Sequence, residues 1–390
     1  MNRITMRIAL GIALVSASSS ELGAQARLAR PVIDTVSGHI IRVMNPGPTA
    51  WTDTNGWKLV YERTVQPAEG SRGELDKPDE AVLLDNGMLI ESERDPVSIR
   101  LFDAHGNFVR TIGRAGAGPG EYQAVAPALV GDSLLFIQDY MLARGTLMTL
   151  DGKVVRIFPT ACCFGYPAAA DNHSRLHVMG PAADRKGQWI TFTPAGDRVD
   201  SMRQPAMETR LVWTVRTPNS SATFTIPLSA TNIDLVLRNG NVLYGATDAF
   251  RFAVTAHGSD TIRLFAGPQT LPAAAPGQLR DSLFHLYTDH NASLRAIASE
   301  GDIPKTLPLW RGMVEDGDAN LWVLAGGETT KVPARFAVYA HDGRFLGWVA
   351  APPIKYLGRT SWSADHVAIL DTDANDLPRI RIFRIDRHAH

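Results

Sequence analysis

Cysteine is almost absent: two thiols in 390 residues, adjacent as Cys162-Cys163. So few exclude a fold stapled by disulfides. Charge of one sign is missing too, since 39 Lys and Arg balance 40 Asp and Glu for a formal net charge of -1. The basic excess that tracks a phosphate backbone is therefore lacking, and nucleic acid is excluded as a partner. Past the N-terminus no apolar run approaches the roughly twenty residues needed to span a bilayer. Local catalytic signatures are missing as well. There is no G-x-S-x-G elbow, no H-E-x-x-H helix and no Gly-Lys-Ser/Thr after a glycine-rich loop, so serine hydrolase, zincin and P-loop readings have no foothold. What is present is a hydrophobic fraction of 45% with 33 Gly and 24 Pro, far too apolar for a disordered chain and rich in turn formers.

The first residues pair two arginines, Arg3 and Arg7, with the apolar run Ile8–Val15 and a small-residue stretch ending Ala24-Gln25-Ala26. This is the pattern of a secretory signal peptide over residues 1–26. No cysteine precedes Cys162, so a lipid-anchored form is not expected. The expected protein is periplasmic or extracellular and soluble after cleavage, with an N-terminal extension over 27–56 before the main domain at 57–390.

From about residue 80 the chain repeats a unit of four short apolar strands joined by Asp, Asn, His and Gly turns. The clearest copy runs Ala81–Leu84, Asp85-Asn86-Gly87, Met88–Ile90, Ser98–Phe102, Asp103–Gly106, Asn107–Ile112. Asn-Gly and His-Gly between apolar runs supply the positive φ that tight hairpins need. Later copies are marked by Gly131-Asp132 and Asp151-Gly152, by Asp171-Asn172 and Gly196-Asp197, by Asn239-Gly240 and His257-Gly258, and by Asp316-Gly317 and Asp342-Gly343. The sixth copy, through Ala364–Leu370 and Arg379–Ile385, ends without its last strand, and Trp57–Tyr61 is the natural donor. These features predict an all-β fold: a six-bladed β-propeller of four-stranded blades, closed by an N-terminal strand. A β-sandwich or two small barrels are the alternatives. Helical spacing of Leu279, Leu283, Leu286 and Tyr287 predicts a helical insertion at about 276–304, between blades 4 and 5.

The run Gly113-Arg114-Ala115-Gly116-Ala117-Gly118-Pro119-Gly120-Glu121-Tyr122, directly after the first blade, resembles that of exported bacterial six-bladed propellers related to NHL-repeat proteins. Asn320–Val323 and Phe336–Gly343 are similar to their later blades. The resemblance spans about residues 57 to 386 and implies the fold, with little about function. Asp139 with Arg144, and Asp371 with Arg379, match the spacing of the NHL Asp and Arg; the intervening Asn is absent.

The glycine-rich run reads as a connector in which Glu121 accepts hydrogen bonds from exposed amides. The alternative places Arg114, Glu121, Tyr122 and Asp139 at the mouth of the central channel as ligand-binding residues. Cys162 and Cys163 are candidates for a strained vicinal disulfide or for two inert thiols. His173 and His177, even-spaced on a strand, would share one face, but a metal site lacks a third ligand. No metal or cofactor is expected. The reading leans away from catalysis, toward a monomeric binding or interaction module for a small molecule, glycan or protein. The alternative is a propeller enzyme, a metal-assisted hydrolase or lyase with its site on the central axis.

Overall fold

A computed structural model describes residues 30–47, 51, 56–160, 168–181, 187–203, 211–217, 219–256, 260–327, 333–354 and 357–387. The chain is a six-bladed β-propeller. In blade 1 the strands run Pro78–Leu83, Leu89–Arg94, Val97–Phe102 and Phe108–Ala115; in blade 5 they run Gly312–Glu315, Leu321–Ala325, Arg335–Tyr339 and Phe345–Ala350. Blades 2, 3 and 4 begin at Ala126, Ala169 and Asn232. Each is an antiparallel meander, so the turns after the first and third strands lie on one face of the disc. The loops after the second strand and the connectors between blades lie on the other. We call these the turn face and the connector face.

Sequence pattern and burial agree strand by strand. Second and third strands are packed on both sides and read as continuous apolar runs; Leu321–Ala325 is buried at every position. Fourth strands lie on the rim, and Val154–Pro159 has three consecutive exposed residues. A hydrophobic cluster fills each junction between neighbouring blades, from Leu83, Leu89 and Ile382 between blades 1 and 6 round to Trp322, Phe336 and Trp362 between blades 5 and 6. These junctions, rather than a single core, hold the ring.

Blade 6 is completed from the N-terminus. Its own strands are Thr360–Trp362, His366–Thr372 and Pro378–Asp386, and Lys58–Val65 pairs antiparallel with the last of them, Phe383 opposite Tyr61. The third and fourth strands of blades 1 to 5 all shift register, once in blades 2 to 5, as at Leu147/Met148 and Val338/Tyr339, and twice in blade 1. The borrowed strand repeats that shift at Ile382/Phe383. It therefore fits the ordinary fourth-strand mould.

Two elements were not anticipated. The N-terminal extension holds a hairpin, Val32–Val36 with Ile40–Met44, whose second strand pairs in parallel with the outermost strand of blade 4, Thr261–Ala266. A second hairpin, Val212–Thr217 with Ser220–Thr225, stands between blades 3 and 4. The expected insertion is present as helices Gly277–Thr288 and Ala292–Arg295 and a single 3₁₀ turn, Glu300–Asp302. Trp213 from the second hairpin packs with Leu294 and Ile303 of the insertion, and its indole donates to Asp302 at 2.9 Å. Among the described residues no helix is long and apolar enough to cross a membrane.

Candidate functional site

On the turn face the buried acids are already partnered. Asp316, fully buried after the first strand of blade 5, accepts from the backbone N–H of Asp318 and Asn320, from the Trp322 indole at 2.9 Å and from Arg387 at 3.1 Å. Asp171 repeats the device in blade 3. It accepts from the N–H of His173 and Arg175, from the Arg175 guanidinium at 2.7 Å and, six residues on, meets the His177 ring at 3.1 Å. Burial pushes the Asp171 carboxyl up, but the Arg175 N–H, the His177 ring and the Arg175 guanidinium outweigh it and hold it below the ordinary value. The other His177 nitrogen meets Thr191 Oγ1 at 3.1 Å, and burial keeps the ring pKa low. His173 lies in the turn instead, exposed, because Ser174 takes a positive φ of 58° and breaks the strand. The two histidines therefore do not share a face, and His177 braces a turn.

Near the axis on this side, Arg238 links three blades. Its Nε donates to the Asp316 carbonyl at 2.9 Å, its outer nitrogen to the Trp362 carbonyl at 3.2 Å, and its backbone N–H to Glu315. Burial pushes Glu315 up to about 7 against the pull of Arg238. Gly317 lets blade 6 press close: a Cβ there would sit 2.3 Å from the Ala364 nitrogen.

The connector face is different. Glu80, on the innermost strand of blade 1, is part-exposed, and its carboxyl has no hydrogen bond among the described residues. Burial, reinforced by Asp79, pushes its carboxyl up to about 8. A register shift between Pro78 and Glu80 leaves Asp79 as a bulge, turned to an ion pair with Arg94. Ser92 lies directly across the strand pair from Glu80, its Oγ buried and unpartnered. Tyr140, in the loop after the second strand of blade 2, completes the group. Burial raises its hydroxyl pKa, with Asp79, Arg94, Glu80 and Asp139 all near enough to act on it.

Sequence reasoning singled out other residues. Arg114 lies near the end of the fourth strand of blade 1, and Glu121 opens a two-residue strand, Glu121–Tyr122, paired in parallel beside it; the two side chains pair at 2.8 Å with Arg114 widely exposed. The second carboxylate oxygen of Glu121 accepts from Gly118 N–H at 2.9 Å, and that bond first, then Arg114, lowers its pKa. Gly116, at φ 147°, leaves room for this carboxylate, since a Cβ would lie 2.4 Å from it. Tyr122 is fully buried with its hydroxyl 3.7 Å from Met148 Sδ. Asp139 is buried and accepts from the N–H of Gln123, Met141 and Leu142. Arg144 donates to the carbonyls of Ala117, Gly118 and Glu121. The structure thus gathers these residues around the connector, folding it onto blade 2. Cys162 and Cys163 lie outside the described residues. Glu80, Tyr140 and Ser92 carried no sequence signal, because their proximity depends on a bulge and on two blades meeting.

The chain matches no protein-family model and no curated protein. Among solved structures, a member of the DUF4221 family from Bacteroides vulgatus aligns at 11% identity and a TM-score of 0.49, over 86% of this chain and 99% of its own. A calcium-binding protein, regucalcin, from Agrobacterium tumefaciens aligns at 10% and 0.41, over 84% and 96%. Virginiamycin B lyase from Staphylococcus aureus aligns at 7% and 0.40, over 85% and 99%. The likeness is one of fold alone. Among the described residues, no three His, Cys, Asp or Glu side chains are grouped so that they could hold a metal ion.

Proposed function

We propose that the protein is an exported binding module that takes a small molecule, glycan or protein segment on its connector face. One contrast carries the reading. The buried acids of the turn face, Asp171 and Asp316, are consumed by their own turns and by Arg175 and Arg387, whereas the Glu80 carboxyl stands on the innermost strand, part-exposed and unbonded, beside Asp79–Arg94 and Tyr140. A partner that supplied donors or acceptors to Glu80 and Tyr140 would repay their desolvation. The helical insertion and the hairpin at 212–225 add surface on the same face.

The test is native mass spectrometry of the mature protein against oligosaccharides, amino acids and short peptides, followed by hydrogen exchange on any adduct. A one-to-one adduct is expected that weakens at least tenfold in E80Q or Y140F and protects residues 94–97 and 139–144. Adducts indifferent to both changes, or protection confined to the turn face, would overturn the reading. The second reading, a propeller enzyme acting on the axis, draws on the raised pKa of Glu80, a property shared by catalytic acids. Stoichiometric metal in the same sample would favour it.

A further inference from the structure

A separate cavity opens between blades 4 and 5, away from the axis. Its roof is the stem of the helical insertion, whose two legs are tied by Leu307 N–H to the Ala273 carbonyl and Ala275 N–H to the Lys305 carbonyl, each at 2.8 Å. Its floor is Trp348, held edge-on by Phe250 and Phe345. The guanidinium carbon of Arg335 sits over Trp348, 3.7 Å from the ring centroid. Arg335 is exposed at the mouth of the cavity, no carboxylate answers it among the described residues, and partial burial lowers its pKa. Arg311, behind the wall, is already spent on the carbonyls of Gly326 and Ile354. Thr270 contributes a buried hydroxyl with no partner, and Leu271, 93% exposed, forms a greasy lip.

We infer that this cavity binds a monocarboxylic acid with an apolar body, of the fatty or arylalkanoic kind. The carboxylate would take the free edge of the Arg335 guanidinium and the Thr270 hydroxyl, and the apolar body would lie between Trp348, Phe250 and Leu271. The chemistry selects one negative charge. A single guanidinium with one hydroxyl matches the two oxygens of a carboxylate in the planar geometry that arginine favours. A phosphate or sulfate dianion would leave charge uncompensated against apolar walls. Stacking on Trp348 fixes the guanidinium plane beforehand, so little side-chain freedom is lost on binding. The cavity is remote from Glu80 and stands on different observations, so either site can fail without the other.

The probes are octanoate and 3-phenylpropionate, with octanamide as the uncharged control, titrated calorimetrically at pH 7 into the mature protein. Octanoate is expected to bind at least tenfold more tightly than octanamide. R335Q should erase that preference, while R335K, which keeps charge but not the planar fork, should retain part of it. T270V should weaken octanoate severalfold and leave octanamide unchanged. Melting temperatures of the variants should stay near wild type, because Arg335 carries no ion pair among the described residues. Equal affinity for acid and amide, undiminished octanoate binding by R335Q, or no octanoate binding at 10 mM would each overturn the assignment.

Discussion

Arg100 shows how much a single side chain carries in a ring of packed sheets. Buried in blade 1, it donates to Glu91 at 2.9 Å and also to Glu93 and the Glu74 carbonyl. Glu93 is further satisfied by the N–H of Asp76 and Lys77, whereas one oxygen of Glu91 has no partner. Burial pushes Glu91 up to about 8, against the pull of Arg100. Removing the guanidinium leaves two carboxyls in a dry junction, so R100A is expected to cost about 3–5 kcal/mol in denaturant unfolding. The pH dependence has a definite sign. A carboxyl whose folded pKa exceeds its ordinary 4.5 holds its proton in the fold and loses it on unfolding, so stability drains away as pH rises from that value through about 8. Glu80 acts in the same direction. From pH 6 to 9 the denaturation midpoint should fall, and E91Q should remove part of the fall; parallel profiles for the two proteins would contradict this assignment. None of it is visible in sequence. Glu91 and Glu93 alternate with Ser92 along a strand that would otherwise read as half-solvated, and only the neighbouring blade makes the face dry.

At the scale of elements, inserted pieces support one another rather than the ring. Trp213 reaches from the hairpin before blade 4 to the insertion after it, so W213A should deprotect helix Gly277–Thr288 in hydrogen exchange while the blades keep their protection. Deprotection of the hairpin alone would show that the two do not brace each other. The N-terminal hairpin behaves differently. Asn45, just past it, donates to the carbonyls of Ala266 at 2.9 Å and Gly343 at 3.0 Å and accepts from Phe345 N–H, clasping blade 4 to blade 5. N45A strands buried backbone groups and should cost about 1–3 kcal/mol, read as a lower denaturation midpoint. The helical insertion was legible because Leu279, Leu283 and Leu286 recur at helical spacing. The hairpin at 32–44 was not, since its partner Thr261–Ala266 lies more than two hundred residues away and its strands expose much of their surface. The glycine-rich connector was recognised, but whether Arg114 and Glu121 faced a ligand or their own loop depended on Gly118 and Arg144, which only the folded geometry brings to them.

For the whole molecule, closure decides everything else, because it sets which loops share a face. The missing fourth strand of the last repeat pointed to Trp57–Tyr61, and Lys58–Val65 fills that place with the register shift common to all blades. Arg387 seals the joint: it stacks 4.9 Å over the Trp57 ring and pairs with Asp316, Asp318 and Asp365, tying blade 6 to blade 5. With the turn face bound together in this way, the proposed binding surface falls on the connector face. Closure is tested most directly by a cross-strand disulfide between Val60 and Arg384, register partners that are both exposed. V60C/R384C, in a background with Cys162 and Cys163 replaced by serine, should oxidise within one folded chain and join the peptide containing 58–65 to that containing 378–386 in mass spectra. Failure to form this link in folded protein, while an equivalent pair across the third and fourth strands of blade 5 closes readily, would contradict the closed ring.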